Sequence, residues 1–293
     1  MDSGRLTLLG VPIDSVGRSG GTEFGPAALR ELLEPVGLDD AGDTERRIRG
    51  LHRDPDNGWL AYEDNVAVTI EVRERVRELI AADRVPVLLG GCCTLIPGAL
   101  AGARDALGGI GLAYLDGHFD LFTGQTSPTG EGADMPVAAA LGLAPPEMLA
   151  AIGPEPPLDP ARTALIGARD EEEVELIAPL PADTGIGRIE DRNSLRHADL
   201  DRLGASIGSE VGTGDGRFWI QLDVDILDAK AFPATDYLMD DGLSLAELKA
   251  ILLPLAGREG VAGVSVTCFN PEKDPDGRCG AALATLLECA LIT

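Results

Sequence analysis

Short apolar runs alternate with segments of helical periodicity along the whole chain, and this alternation limits the fold more than any other feature. Six of the runs have the length of a fully buried strand, and they cover residues 6–13, 85–89, 110–115, 163–166, 218–224 and 261–269. Strands that alternate with helices form a mostly parallel sheet with helices on both faces. We therefore predict an α/β fold. No repeat and no linker divides the sequence, so we predict that residues 1–293 form one domain.

Three segments carry local signals of a helix. The first covers 64–82, where valines recur at every fourth position and charged residues lie opposite them. The second covers 244–253, because Ser244 and Glu247 have the spacing of a capping box. The third closes the chain over 279–292. These helices fit the predicted alternation.

The charge of the chain excludes most polyanionic partners. Its 293 residues include 49 acidic and 24 basic side chains, which gives a formal net charge of -25. A protein that binds nucleic acid or an anionic membrane through phosphate groups needs a basic face. We therefore expect no nucleic-acid or membrane partner, and we expect cations, metals or other proteins instead.

One uncharged stretch, residues 85–103, has about the minimum length of a membrane span. Two prolines and four glycines interrupt it. A spanning helix would have to satisfy the backbone groups that these residues free. A buried strand, a glycine turn and a buried helix explain the stretch better.

The cysteines and the N-terminus both favour a cytoplasmic protein. The five cysteines include the adjacent pair Cys92 and Cys93, and they lack the CxxC spacing of zinc ribbons and thioredoxin-like sites. Their odd number is typical of a reducing compartment. The apolar run that ends at Gly10 follows Asp2, and it is too short and wrongly flanked for a signal peptide.

Acidic residues follow two of the predicted strands, where an open parallel sheet gathers its ligand groups. Asp116, His118 and Asp120 occupy alternate positions, which puts three ligands on one side of an extended segment. Asp223 and Asp225 repeat this spacing. Four carboxylates and an imidazole at one point would repel one another severely, and a pair of divalent cations removes that cost.

Each motif alone has another interpretation. An Asp-x-His-x-Asp motif also occurs as a solvated loop or a helix cap, and a lone Asp-x-Asp is often structural. Cys93 alone is typical of a small core residue, although it follows Gly90 and Gly91 at the end of a strand. His118 is one of three histidines, and the other two lie among polar residues typical of surface loops. Taken together, the motifs favour a metal site.

The segments 116–120 and 222–228 resemble the two metal motifs of the ureohydrolase family, which comprises arginases, agmatinases, formiminoglutamases and relatives. Residues 90–94 stand where the family has Gly-Gly-Asp-His-Ser. Residues 129–136 stand where it has a loop similar to Ser-Gly-Asn-x-His-Gly-Met-Pro, and 267–271 where it has an end similar to Glu-Val-Asn-Pro. The glycine-rich opening is similar too, so the resemblance spans essentially the whole chain.

The resemblance implies a three-layer α/β/α fold with an eight-stranded parallel sheet and a site for two manganese ions. Carried over by position, the ligands of one metal are Cys93, Asp116, Asp120 and Asp223, and those of the other are His118, Asp116, Asp223 and Asp225. Asp116 and Asp223 then bridge the two ions. The resemblance also implies a small cationic guanidino or amidino substrate and a homo-oligomer, either a trimer or a hexamer.

Two cations that share a water lower its pKa enough to supply hydroxide near neutral pH, and this attacks the carbon of a guanidinium or amidine. The resemblance implies catalytic roles for Asp120, which could orient the hydroxide, and for Asp225. The leaving amine must gain a proton from a general acid. The candidate substrate-binding residues are Thr129, Glu131, Glu172 and Cys268. Glu172 is also typical of a solvated cap at the start of an acidic helix.

Four positions depart from the family pattern. Cys93 replaces a histidine ligand, and a thiolate favours softer metals, so zinc is an alternative to manganese. Ala133 replaces the histidine that would shuttle protons. Cys268 replaces a glutamate that would pair with the guanidinium, a contact worth about 2–3 kcal/mol. Phe122 stands where arginases carry a polar group. We therefore expect a substrate other than L-arginine.

Three functions remain open at this point. The first is a metal-dependent hydrolase of linear C–N bonds in guanidino or amidino compounds. The second is a catalytically inactive subunit with the same fold and a structural or regulatory role, in which a metal would serve stability. The third is a single-zinc amide hydrolase that resembles deacetylases. It would keep Asp223, His118 and Asp225 but lacks the histidine pair that such enzymes use as acid and base.

Overall fold

Residues 3–15, 20–170 and 181–292 are described by a computed structural model of the chain. Within these ranges eight strands form one sheet, in the order β2-β1-β3-β8-β7-β4-β5-β6, and every pairing between neighbours is parallel. The strands are β1 (Leu6–Val11), β2 (Asp39–Asp43), β3 (Val85–Gly90), β4 (Gly111–Leu115), β5 (Thr163–Ile166), β6 (Arg188–Glu190), β7 (Phe218–Asp223) and β8 (Val261–Thr267). The predicted parallel sheet is confirmed.

The helices of the described ranges lie around this sheet in two groups. They are α1 (Gly25–Leu33), α2 (Tyr62–Ala81), α3 (Ile96–Leu107), α4 (Pro136–Ala140), α5 (Pro146–Ile152), α6 (Arg192–Leu195), α7 (Leu200–Val211), α8 (Leu245–Ala256) and α9 (Arg278–Leu291). In one group α2 packs on α3 and α5, and α3 packs on α4. In the other, α9 packs on α1 and α8, and α8 packs on α7. The three-layer α/β/α fold is confirmed.

The three predicted helices are present, with ends that differ by a few residues. The predicted capping box starts α8, where Ser244 Oγ accepts the backbone N–H of Glu247 at 3.2 Å and the Glu247 carboxylate accepts the N–H of Ser244 at 2.8 Å. The uncharged stretch 85–103 forms β3, a turn and α3. No helix in the three described ranges combines the length and apolarity that a bilayer crossing needs.

Two strands were not predicted, and both lie at the edges of the sheet. Strand β2 is formed by polar residues and glycine, and its side chains are mostly exposed. Strand β6 has three half-buried residues, two of them charged. An edge strand needs no continuous apolar run, because one side of it faces neither a neighbouring strand nor the core.

The strand order places four strand ends next to one another. Strand β3 pairs with β8, β8 with β7, and β7 with β4. All four are buried along nearly their whole length. Because parallel strands end at the same edge of a sheet, the loops after them meet, and these loops carry Cys93, Cys268, Asp225 and Asp116.

Candidate metal centre

A cavity opens at this edge of the sheet, above the ends of the four central strands. It is lined by Cys93, Asp116, His118, Asp120, Phe122, Ala133, Asp134, Asp170, Asp223, Asp225, Tyr237 and Cys268. All six residues that the sequence predicts as metal ligands are in this set. The structure therefore brings to one point side chains that follow three different strands.

Asp116 and His118 lie in the loop that follows β4. Asp116 Oδ1 accepts the backbone N–H of His118 at 2.8 Å, which turns the loop back over the end of the strand. The imidazole Nδ1 of His118 is 3.5 Å from Asp116 Oδ1 and 3.0 Å from Oδ2 of Asp225. The other carboxylate oxygen of Asp116, Oδ2, is buried and has no hydrogen-bond partner among the described residues. A buried oxygen without a donor is costly unless a cation takes that place.

Asp223 and Asp225 are placed by a short turn after β7. Asp223 Oδ1 accepts the backbone N–H of Asp225 at 3.0 Å and starts the 3₁₀ turn Val224–Ile226. Asp225 Oδ1 accepts the N–H of Gly117 at 2.9 Å, which ties this turn to the loop after β4. Thr267, on the neighbouring strand β8, donates its hydroxyl to Asp223 Oδ2 at 2.7 Å. Hydrogen bonds within the protein thus orient both carboxylates.

Asp120 has a backbone conformation that is unusual for its residue type. Its φ is 53°, in the left-handed region, where aspartate is more tolerated than most non-glycine residues. Its carbonyl oxygen accepts the N–H groups of Val137 and Ala138, each at 3.2 Å, at the start of α4. The phenol of Tyr114 donates to Asp120 Oδ2. The Asp120 backbone is therefore held at the start of α4, and its side chain is held by Tyr114.

Two cysteines complete the cavity wall. Cys93 begins the turn that follows β3, and its thiol donates to the carbonyl oxygen of Ala133 at 3.4 Å. Cys268 follows β8, and its N–H donates to the carbonyl oxygen of Gly91 at 2.9 Å. Both thiols are free and buried.

Three groups of donor atoms have the spacing of a metal site, with all atoms of a group within 4.8 Å of one another. The groups are Cys93 with Asp223 and Cys268, Asp116 with His118 and Asp120, and Asp116 with Asp223 and Asp225. Asp116 and Asp223 each belong to two groups. These are the two residues for which the family resemblance implies a bridging role.

The carboxylates cannot all ionise together in this setting without a cation. Burial, followed by the charge of Asp225, raises the pKa of Asp116 to about 7. Burial and the charge of Asp116 raise the pKa of Asp120 well above its usual range, and burial and the charge of Asp225 do the same for Asp223. Divalent cations would offset this repulsion.

Asp225 and His118 form an attractive pair in this group. Burial alone would raise the pKa of Asp225, but His118 outweighs it and holds that pKa below its usual value. For His118, burial opposes the charged form, and Asp225 raises the pKa well above its usual value. The donor set is rich in carboxylate oxygen, with one imidazole and two thiols, and it fits divalent metal ions.

The predicted substrate-binding residues do not all reach the cavity. Cys268 lines it. Thr129 is exposed and donates its hydroxyl to Asp134 at 2.6 Å. Glu131 is half-buried behind Tyr237, whose hydroxyl donates to Glu131 Oε2 at 2.7 Å. Glu172 lies outside the described residues.

Three residues that line the cavity were not predicted from the sequence. Asp170 follows β5 and accepts the backbone N–H of Phe119, so the position of this residue after a strand could have revealed it. The rings of Tyr237 and His118 are nearly perpendicular, with 6.1 Å between their centroids. Asp134 accepts the hydroxyl of Ser127. Asp134 lies in the loop 129–136, which the family resemblance had singled out without assigning this residue a role. Tyr237 does not follow a strand directly, so no signal in the sequence pointed to it.

The chain is similar to known proteins over nearly its whole length. A sequence model described as the arginase family matches residues 5–293. The arginase of Bacillus caldovelox is 27% identical over 298 residues, which cover 96% of each chain. The N(omega)-hydroxy-L-arginine amidinohydrolase of Streptomyces lavendulae is 28% identical over 235 residues, or 80% of this chain and 78% of that protein. The solved arginase structure from Bacillus caldovelox matches with a TM-score of 0.85 at 25% identity, and the match covers 98% of this chain and 97% of that one.

Proposed function

Because the chain belongs to the arginase family, whose members hydrolyse C–N bonds other than peptide bonds, we propose that it hydrolyses a linear C–N bond in a small guanidino or amidino compound other than L-arginine. The observation that carries this proposal is the group of buried donors around Asp116, whose Oδ2 meets no hydrogen-bond donor in the described part of the chain. Such a group is suited to hold cations at the bottom of an acidic cavity. A cationic substrate is complementary to that charge.

The proposed metal ligands are the six that the sequence indicated. Cys93, Asp116, Asp120 and Asp223 would hold one ion, and His118, Asp116, Asp223 and Asp225 the other. Manganese is the metal that the family resemblance favours, and zinc is the alternative because of Cys93. Two divalent ions at these positions would supply a water of lowered pKa as the nucleophile.

The proposed catalytic residues are Asp120 and Asp225. Asp120 lines the cavity, and Tyr114 fixes one of its carboxylate oxygens. We assign to Asp120 the orientation of the attacking water, because the bond from Tyr114 fixes its carboxylate at the cavity wall. Asp225 is bonded to the N–H of Gly117 and lies 3.0 Å from the His118 imidazole, so it fixes the position of that ring.

The cavity wall argues against L-arginine. A neutral thiol at Cys268 cannot form the charged pair that a glutamate makes with a guanidinium. Ala133, which also lines the cavity, has no group that can deliver a proton. Phe122 adds an apolar ring to the lining of the cavity. We propose a smaller or less polar substrate, with Thr129, Glu131 and Glu172 as contacts further from the bond that breaks.

The experiment that tests this proposal has two stages. Metal content per chain is measured first, after loading with manganese or zinc. Release of urea is then screened over guanidino acids, guanidino amines and L-arginine, release of formamide over formimino compounds, and release of ammonia over all of them. We expect turnover of at least one compound and little of L-arginine. Rapid arginine hydrolysis would contradict the choice of substrate.

A second function is favoured by Ala133 and Cys268, which both remove groups that handle substrate. It is a catalytically inactive subunit with a structural or regulatory role. A chain that binds metal at full stoichiometry and hydrolyses no compound of the screen would support it. We further propose that the chain is cytoplasmic and forms a homo-oligomer, either a trimer or a hexamer. Light scattering on the purified chain would test the oligomeric state.

A further inference from the structure

Cys93 and Cys268 are brought together although they follow different strands. The N–H of Cys268 donates to the carbonyl oxygen of Gly91, at the start of the turn that carries Cys93. Cys268 has a φ of 67°, in the left-handed region that non-glycine residues rarely occupy. Such a conformation persists where the surrounding structure fixes it. The position of Cys268 is therefore determined by the loop of Cys93.

Three donor atoms converge at this point. The two Sγ atoms and a carboxylate oxygen of Asp223 all lie within 4.8 Å of one another, and the three residues are buried. In a tetrahedral zinc site with Zn–S bonds of about 2.3 Å, two sulfur ligands lie about 3.8 Å apart. Side-chain shifts of about 1 Å or less would close the observed group around such an ion.

Packing alone explains this arrangement less well. Buried free cysteines ordinarily act as small apolar side chains. Here the two thiols meet the buried carboxylate of Asp223, whose oxygens accept the Asp225 N–H and the Thr267 hydroxyl. Two sulfur atoms and a carboxylate oxygen at this spacing are a donor set suited to a metal ion. Independently, Oδ2 of Asp116 in the adjacent donor group is buried and unbonded within the described ranges. Both observations indicate a site built to receive cations.

We propose that Cys268 is a metal ligand, and that Cys93, Cys268 and Asp223 together hold one ion of the zinc class. This inference rests on the metal-dependent function proposed above, because both place ions at the same edge of the sheet. On binding, the two thiols release their protons to solvent. One Zn²⁺, two thiolates and one carboxylate would make a group with a net charge of −1. A tetrahedral ion would keep one position, so Cys268 takes the place of either Asp116 or Asp120 in the ligand set proposed above for the ion at Cys93.

This assignment changes the chemistry of the centre in two ways. Two thiolates select zinc or cobalt over manganese far more strongly than one imidazole and carboxylates do. Cys268, which the sequence placed among the substrate contacts, becomes part of the metal centre instead. The Cys268 thiolate is then bound to the metal, so it is not available to pair with the charge of the substrate.

The test is a titration of the reduced, metal-free full-length chain with Co²⁺, followed by absorbance. Each cobalt–thiolate bond contributes to a charge-transfer band in the near ultraviolet. We expect Cys268→Ser and Cys93→Ser each to remove about half of the band intensity per bound ion and the double variant to remove it all. Cys92→Ser is the matched control, because Cys92 is an adjacent buried cysteine whose thiol is bonded to Thr94 and lies outside the donor group.

A competition between Zn²⁺ and Mn²⁺ on the same variants gives a second measurement. Cys268→Ser is expected to lower the preference for zinc by at least about tenfold, and Cys92→Ser to leave it unchanged. A full charge-transfer band in Cys268→Ser would overturn the inference. If that variant and the wild-type chain also release urea or ammonia from a guanidino compound, the proposed function survives. A wild-type chain that binds no divalent ion would overturn both.

Discussion

The hydroxyl of Thr267 donates a hydrogen bond of 2.7 Å to Oδ2 of Asp223, between the ends of strands β8 and β7. Thr267 in turn accepts the side-chain N–H of Gln221 at 2.6 Å, and Gln221 Oε1 accepts the hydroxyl of Ser265. Ser265 accepts the indole N–H of Trp219 at 2.9 Å. All five side chains are buried. Every donor of this chain is directed toward Asp223, so each bond polarises the next.

The first prediction concerns the last bond of that chain. Thr267→Val keeps the shape of the side chain but removes the donor to Asp223 and the acceptor of Gln221. We expect the free energy of unfolding to fall by about 1–3 kcal/mol, because buried polar groups lose their partners. We expect metal affinity to fall about 10–100-fold, as for other residues that orient a ligand. Denaturant unfolding and competition with a chelator measure the two effects.

Thr69→Val is the matched control for this variant. Thr69 is buried on α2, and its hydroxyl donates to the sulfur of Met148 at 3.5 Å. Its replacement is expected to change stability and leave metal affinity unaltered. Unchanged metal affinity in Thr267→Val would show that the hydrogen-bond chain serves only the fold.

The second prediction concerns the residues proposed to bridge the two ions. Asp116→Asn and Asp223→Asn keep the size of the side chain and remove a charge. We expect each to lower the metal content per chain and the thermal stability of the loaded protein together, because bound metal stabilises only the folded state. Mass spectrometry of bound metal and calorimetry measure the two quantities.

Asp228→Asn is the control, since Asp228 belongs to the same sequence motif. Its carboxylate accepts the N–H groups of Lys230 and Asp241 at 3.0 and 2.7 Å, and it does not line the cavity in the described structure. We expect it to retain full metal content. Full metal content in both Asp116→Asn and Asp223→Asn would contradict the two-metal centre.

The central strands could be predicted because burial on both faces forces an apolar run on them. The edge strands β2 and β6 lack that constraint, and their polar sequences gave no periodic signal. The apolar runs of the central strands also made part of the site predictable. Asp116, His118 and Asp120 directly follow a strong strand, so their place at the sheet edge was predictable.

The rest of the site depends on contacts between distant segments. The proximity of Cys93 and Cys268 follows from the pairing of β3 with β8, which no local pattern encodes. Tyr237 reaches the cavity from a loop without regular structure. The buried polar chain below Asp223 was also not predicted, since Gln221 lies within a run that reads as an ordinary buried strand.

The third prediction concerns the turn that carries Cys93. An added Cβ at Gly91 would lie 1.8 Å from the carbonyl oxygen of Ile13, which is backbone and cannot move aside cheaply. Gly91→Ala is therefore expected to separate the ends of β1 and β3. We expect a loss of stability of more than about 2 kcal/mol together with weaker metal binding. At Gly109 the nearest neighbour is the flexible end of Arg162, at 3.2 Å, so Gly109→Ala should change neither property much.

The fourth prediction concerns Glu131, for which we proposed a substrate contact. The hydroxyls of Tyr237 and Ser15 donate to Glu131 Oε2 at 2.7 and 2.9 Å and hold the carboxylate behind the cavity wall. Glu131→Gln removes the charge and keeps the shape. We expect KM for a cationic substrate to rise about two- to tenfold with kcat and metal content unchanged, because the carboxylate attracts the substrate through partly solvated space.

A second pair of this kind supplies the control. Tyr62 donates its hydroxyl to Glu147 at 3.1 Å on the surface between α2 and α5, away from the cavity. Glu147→Gln is expected to leave KM unchanged. An unchanged KM in Glu131→Gln as well would assign Glu131 to loop structure alone.

The fifth prediction concerns L-arginine and rests on Cys268 and Ala133, which both line the cavity. Cys268→Glu replaces the proposed thiolate ligand by a carboxylate that can pair with a guanidinium. On the manganese-loaded chain we therefore expect tighter binding of simple guanidino compounds with little turnover. Ala133→His alone restores a proton-carrying group without the means to hold the substrate. The double variant should raise kcat/KM for L-arginine by more than the product of the two single effects, because both groups act on one transition state.

The matched control for the double variant is Cys268→Gln with Ala133→His. It provides the same size and one acceptor oxygen at position 268 but no charge, and a charge-assisted bond is about twice as strong as a neutral one. We expect this control to show no gain beyond that of Ala133→His alone. If Cys268→Glu combined with Ala133→His raises kcat/KM only by the product of the two single effects, or not at all, the result would favour the catalytically inactive subunit. Rapid arginine hydrolysis by the unmodified chain would show that this family site needs neither side chain.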